Sequence, residues 1–388
     1  MEQGRSFSAV KHSTNSDPTA VTVIQLVPRY GSEPTGIGDY AECLARTLRA
    51  CAGINSVFLS GMASSEPPEM KNDWKTYCVP HHEPQNLADT LRVAAYESKA
   101  RVILLHFSGY GYQQRGVPLW LLQGLRIWRY GETHVPILTI FHELYATGRP
   151  WNSSFWLSPL QRRIARNVLN LSSGAITATS FNQEWLQDRN RNHAEIIRMP
   201  VFSNIGEPGS GRAPCARAGT AVVFGLAGVE DRLYGGYRKE IEHVLMTRGI
   251  EKIIDIGPRH GTTPSRLAGV PIISKGALPQ ASVSELLQQA RYGFVAYPLN
   301  AIGKSGVFAA YAAHGVIPIV FSEKRGPFEG LEAGRNFIDG LQLEHDVEAD
   351  TLASIQSELS IWYASHSLLV QAELLEKCIM SKVSVRVV

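Results

Sequence analysis

At 388 residues, with 44% hydrophobic and 19% charged residues, the chain is long enough for two or three domains with ordinary soluble cores. A net charge of +3 and dispersed arginines leave no basic tract for nucleic acid. Apolar runs such as Val102–Phe107 fall far short of the roughly 20 residues of a membrane-spanning helix. The polar stretch 1–20 has no apolar segment of the kind a signal peptide needs, and reads as a disordered leader.

From there the chain alternates strands and helices. Val21–Val27 is an apolar strand, followed by a glycine-rich turn and a helix from Asp39 to Cys51 with Ala41, Leu44, Ala45 and Leu48 on one face. Strands follow at Ser56–Leu59, Val102–Phe107 and Pro136–Phe141, separated by helices at Leu87–Lys99 and Leu119–Arg129. Ser158–Leu171 is a helix with Ser158 as its N-cap and Pro159 in its first turn. Gly174–Thr177 and Glu195–Met199 read as strands around a helix capped by Ser180. Such alternation predicts a mainly parallel sheet covered on both faces.

Glycine and proline break this pattern between Pro200 and Thr220, which marks residues 205–220 as a linker. A second alternating block has strands at Ala221–Phe224, Lys252–Ile256, Val270–Ser274, Gly293–Tyr297 and Ile317–Phe321. Its helices lie at Ser282–Arg291 and Ser305–His314, and two more, separated near His366, fill Asp350–Cys378. The expected layout is a first domain over 21–204, a second over 221–348, and C-terminal helices over 349–388 packing back toward the first. The fold class is α/β, with two tandem doubly wound domains facing a cleft. The five cysteines (Cys43, Cys51, Cys78, Cys215, Cys378) show no metal-ligand spacing and read as reduced thiols of a cytoplasmic protein.

Ligands of parallel α/β sheets sit at the carboxyl ends of the strands, so the strand-end motifs carry the candidate chemistry. After the first strand comes Thr35-Gly36-Ile37-Gly38-Asp39-Tyr40, where two glycines let backbone approach a ligand at a helix start. His106 through Tyr112 places Tyr110 and Tyr112 at another strand end, as a sugar or acceptor pocket would need. His142 and Glu143 follow the strand at Pro136–Phe141. The histidine suits a sugar hydroxyl and the glutamate a general base, and no further histidine completes a zinc motif. Gly225 and Arg232 follow the first strand of the second block, and Lys304-Ser305-Gly306 opens a helix whose free N–H groups attract anions. Each also has a plain structural reading: a strand-to-helix turn, a core histidine, a loop ion pair, a surface arginine.

The run from Gly276 to Val320 resembles the donor domain of GT-B glycosyltransferases, especially the retaining group that includes glycogen-synthase-like and lipopolysaccharide enzymes. Leu286, Leu287, Ala290, Pro298, Gly315, Pro318 and Val320 fall in step with that family's order of turn, helix, strand, loop, helix and strand. The resemblance implies a GT-B cleft and a nucleotide-diphosphate sugar as donor substrate, with no cofactor and no metal. Together with the residue readings above, it gives phosphate contacts from Gly36, Gly38, Arg232, Lys304, Ser305 and Gly306, acceptor contacts from Asp39, Tyr110 and Tyr112, and catalysis at His142 and Glu143 as the expected site. The acceptor would be a sugar or a lipid-linked molecule, and the outcome retention at the anomeric carbon. Arg162, Arg163 and Arg166 form a short basic face that could lie on the inner surface of a membrane. The chain departs from the family at Thr35, usually glycine, at Leu226, usually arginine, and at Ile302 and Ala310, where paired glutamates usually stand. A sugar-nucleotide epimerase and a non-catalytic GT-B-like binding subunit are the alternatives. A dehydrogenase would need a full GxGxxG that neither half contains.

Overall fold

A computed structural model describes residues 21–31, 35–64, 66–131, 135–147, 151, 153–208, 216–225, 228–229, 231–258, 263–342 and 349–384. The expected leader at 1–20 lies outside them, as do residues 209–215 of the linker and Leu226, Ala227 and Glu230.

The first domain holds β1 (Thr22–Val27), α1 (Gly36–Ala52), β2 (Asn55–Ala63), β3 (Glu69–Lys71), β4 (Trp74–Val79) and α2 (Pro84–Ser98). Then come β5 (Val102–Phe107), α3 (Gly109–Tyr112), α4 (Leu119–Gly131), β6 (Ile137–Phe141), α5 (Ser153–Leu171), β7 (Gly174–Thr177), α6 (Ser180–Gln187) and β8 (Glu195–Arg198). The strands make one sheet in the order β3-β4-β2-β1-β5-β6-β7-β8, parallel except for β3. The chain steps from β1 to β2 on one side and later returns to β5 on the other, so its direction of winding reverses beside β1. In open α/β sheets that reversal leaves a crevice at the carboxyl ends of the strands.

The second domain repeats the plan. It contains β9 (Ala218–Phe224), a π-helical turn (Asp231–Gly235), α7 (Arg238–Thr247), β10 (Lys252–Ile256), β11 (Arg266–Leu267), β12 (Val270–Gly276) and α8 (Gln280–Gln289). It continues through β13 (Ala290–Ala296), a 3-10 turn (Leu299–Lys304), α9 (Gly306–Ala313), β14 (Ile317–Phe321), β15 (Ile338–Asp339) and α10 (Ala349–Ala364). The sheet order is β11-β12-β10-β9-β13-β14-β15, and its reversal lies beside β9. Helix α9 buries every residue from Phe308 to Ala313, as a helix apolar on all sides must.

Local chemistry moves several boundaries. Helix α1 begins at Gly36 because the Thr35 hydroxyl accepts from the Gly38 N–H at 3.0 Å, so the glycines form its first turn. Helix α6 is capped by Thr179, and Ser180 is its first residue. Helix α5 starts five residues before Ser158, which is not its cap, and Pro159 sits inside the helix. The expected linker gives way to β9 at Ala218.

The last helix, α11 (Leu368–Ser384), leaves the second domain. Its Ala372, Leu375 and Ile379 pack with Val23, Leu44, Leu48 and Ile140 of the first, while α10 stays against α9. The Tyr40 hydroxyl donates to Gln371 Oε1 at 2.6 Å, and Gln371 Nε2 donates to Pro200 O at 2.6 Å. Elsewhere Glu329, between β14 and α10, reaches the first domain. Its carboxylate accepts from the Ser180 N–H (2.8 Å), the Ser180 hydroxyl (3.1 Å) and Arg198 (2.7 Å). The backbones of the two domains meet at Gly303. Its carbonyl accepts from the Val201 N–H at 2.8 Å, and a Cβ there would lie 2.6 Å from Ala178 O.

Two outcomes follow from this packing. Gly303→Ala wedges the domains apart and is expected to lower stability by about 1–3 kcal/mol, read as a lower denaturation midpoint; an unchanged midpoint contradicts the close approach. His366, buried where α10 meets α11, has its pKa pushed down from 6.5 to about 4 by burial. The unfolded chain therefore binds the extra proton, so this contribution is complete above pH 6.5 and is lost as pH falls toward 4. Its full size is on the order of 3 kcal/mol. His366→Asn is expected to flatten the fall of the urea midpoint across that window.

Candidate functional site

The two reversals face each other, and the space between them is the site. One cavity of about 390 Å3 is lined by Gly36, Tyr40, Ser108, His142 and Glu143 from the first domain and by Tyr297, Lys304 and Gly306 from the second. A second, of about 500 Å3, shares Gly36, Asn204 and Gly306 with it and extends over the apolar carboxyl ends of β9, β10 and β12. Phe224, Ile256, Leu278, Val283 and Val307 line that part.

Helices α1 and α9 both begin at the crevice, and Gly36 and Gly306 line both cavities. First-turn amides have no helical carbonyl to bond and carry the positive end of the macrodipole. Ser305 is 5% exposed, and its hydroxyl accepts from the Phe308 N–H at 3.2 Å. It therefore acts as the cap that fixes the start of α9. Lys304 lines the cavity one residue earlier, and its ammonium has no carboxylate partner among the described residues.

The first domain supplies an imidazole and a carboxylate. Gln25 Nε2 donates to Ser56 Oγ at 3.3 Å, which leaves Gln25 Oε1 to accept from His106 Nε2 at 2.8 Å. His106 Nδ1 is then bare and accepts from His142 Nε2 at 3.1 Å. The tautomers follow from this network: His142 carries its proton on Nε2 and its lone pair on Nδ1. Tyr40 packs edge-on against the His142 ring, 5.1 Å between centroids. Burial pushes the His142 pKa down to about 4 and that of fully buried His106 well below its usual value, so both are neutral at neutral pH. Glu143 is exposed on the rim, and its Oε2 accepts from Ser108 Oγ at 3.1 Å.

Tyr297 connects the acid to the second domain's cations. Burial first, then the Glu143 charge, pushes its hydroxyl up to about 12, while Arg232 opposes the rise. Arg232 is exposed and lines a neighbouring cavity of about 450 Å3 with Tyr297 and Lys324. It thus lies beyond Tyr297, outside the main crevice. Asp39 lines the apolar cavity near Gly36, and burial raises its pKa.

Three expected contacts fall elsewhere. Tyr112 is buried in the first core with its hydroxyl donating to Leu26 O at 3.0 Å, so it presents nothing to an acceptor. Tyr110 lies outside both crevice cavities, and its hydroxyl accepts from Gln161 Nε2 at 3.1 Å. Gly38 is buried, where a Cβ would lie 2.5 Å from Thr35 Oγ1 and 2.9 Å from Arg29 O, so it serves the helix cap. Ile302 and Ala310, where the resemblance expects acids, are buried in the apolar core around α9. Sequence reasoning overlooked Tyr40, Ser108, Asn204, Tyr297 and the relay through Gln25. An amide side chain amid the apolar run of β1 was the one signal for Gln25.

No family profile matches the chain, and no curated protein matches it by sequence. Solved structures do. HepE from Anabaena, solved in complex with UDP and glucose, aligns over 93% of this chain and 100% of its own at 11% identity, with a TM-score of 0.58. The lipopolysaccharide outer core galactosyltransferase WaaB, in its apo form, aligns over 93% and 100% at 11% identity, with a TM-score of 0.56. A protein from Listeria monocytogenes described as a UDP-N-acetylglucosamine 2-epimerase aligns over 91% of both chains at 13% identity, with a TM-score of 0.52. The architecture is that of the GT-B fold, two Rossmann-like domains enclosing a cleft.

Proposed function

We propose that the chain is a glycosyltransferase that moves a sugar from a nucleotide-sugar donor to an acceptor hydroxyl. One observation carries the reading: a lysine without a carboxylate partner among the described residues and two helix N-termini converge on a cavity whose opposite wall holds a neutral histidine and a carboxylate. The apolar cavity over β9, β10 and β12 takes the nucleobase. The diphosphate lies against the first turn of α9 and Lys304, which stabilise charge developing on the leaving oxygen. Arg232, beyond Tyr297, adds positive charge, and Asp39 stands near the nucleotide side of Gly36.

The acceptor enters from the first domain. As the bond from the anomeric carbon to the phosphate oxygen breaks, the acceptor oxygen bonds to that carbon and its proton passes to a base. Neutral His142 and Glu143 are the groups placed for that step. Neutralisation of the diphosphate falls to side chains and amides in this reading, without a cofactor. Retention at the anomeric carbon rests on the family resemblance.

A sugar-nucleotide epimerase is the second reading. It is favoured by Glu143, a carboxylate in the crevice of the kind proton abstraction needs. Assay of a UDP-sugar panel with and without acceptor separates the two: conversion without acceptor selects the epimerase.

Thermal melts with nucleoside diphosphates are expected to show an upward shift; no shift with any of them sinks the reading. Lys304→Ala is expected to weaken nucleoside diphosphate binding about tenfold to a hundredfold by calorimetry, the loss of a hydrogen bond to a charged group. His142→Asn should leave that affinity within about twofold and lower turnover about a hundredfold, as loss of a general base does.

A further inference from the structure

The surface outside the crevice holds a concentration of charge and aromatic side chains that the proposed chemistry does not use. Helix α5 has three arginines and no acidic residue, in a chain whose total charge is +3. That helix buries Ile164, Ala165, Val168 and Leu169 in the first core, which fixes its outer face in place.

The outer face is segregated along the helix axis. At its start, Phe155 is 41% exposed, Trp156 72% and Leu160 37%, with Trp151 just before the helix 74% exposed. Arg162, Arg163 and Arg166 follow, and none pairs with a carboxylate among the described residues. Arg162 stacks on the ring of Tyr145, 4.3 Å from its centroid, so its charge is held at a defined place.

We propose that this face docks on the surface of an anionic lipid bilayer. Indole and phenyl rings partition into the zone between headgroups and acyl chains, where their apolar bodies are buried and polar edges stay wet. Guanidinium groups beside them meet lipid phosphates, for which their planar donors are matched. A fixed helix with aromatic residues at one end and arginines at the other offers both contacts together. No described helix is long and apolar enough to cross a membrane, so the contact is peripheral. The face adjoins the loop after β6, because Gln161 of α5 accepts from the Ala146 N–H at 2.8 Å. Docking there sets the first domain's side of the crevice close to the lipid. The inference does not depend on the reaction proposed above.

The test is co-sedimentation of the full chain with phosphatidylcholine vesicles, with and without about 30% phosphatidylglycerol, at low and high salt. Binding is expected to the anionic vesicles alone, falling as salt rises. The triple variant R162Q/R163Q/R166Q is expected to lose about tenfold or more of that binding, and F155S/W156S to lose a comparable share. Phe155, Trp156, Arg162 and Arg163 are exposed and Arg166 is half-buried, and circular dichroism melts verify that the variants fold. No sedimentation with anionic vesicles, or binding unaltered in both variants, overturns the proposal. So does self-association by light scattering that F155S/W156S abolishes without any vesicle binding, which assigns the face to a second copy.

Discussion

Two reversals of strand order make one crevice only if their sheets are held face to face, and the side-chain amide of Gln371 is central to that holding. It takes the Tyr40 hydroxyl on its oxygen and gives its nitrogen to the carbonyl of Pro200, where the chain passes between domains. Tyr40 in turn stacks on Phe202, 4.2 Å between centroids, and lies edge-on to His142. The same tyrosine therefore lines the cavity and receives the C-terminal helix. Beside it, Gly303 accepts from the Val201 N–H, and Glu329 ties the second domain to Ser180.

Within that frame the domains contribute opposite chemistry. The second presents positive potential, from the start of α9, Lys304 and, beyond Tyr297, Arg232. The first presents a neutral nitrogen base and a carboxylate whose oxygen is held by Ser108. A dianionic group bound between them meets attraction on one wall and proton-accepting groups on the other. Complementarity of that kind needs both sheets, which is why neither half of the chain contains a site by itself.

The alternation of apolar strands with amphipathic helices made most of the fold legible. Buried parallel strands read as largely apolar runs, and the ends of β5 and β14 coincide with those runs. The hairpin of β3 and β4 escaped because its edge position mixes Lys71, Asn72, Asp73 and Lys75 with apolar residues. Boundaries slipped where neighbouring hydroxyls compete to cap, as Thr179 and Ser180 do. Strand-end logic brought together Gly36, His142, Glu143, Lys304 and Gly306. It misplaced Tyr112, because an aromatic at a strand end serves packing as readily as binding, and here a main-chain carbonyl claims its hydroxyl. Gln371 carries no local pattern, since its partners are brought near only by tertiary structure.

The file of hydrogen bonds from Ser56 through Gln25 and His106 to His142 lies wholly inside the first domain. Its polarity is therefore set when that domain folds, whatever the other lobe is doing. Rigid-body swinging of the lobes alters how near the cations come, yet leaves untouched which imidazole nitrogen is basic. Chemical readiness and mechanical approach are thus independent variables in this protein.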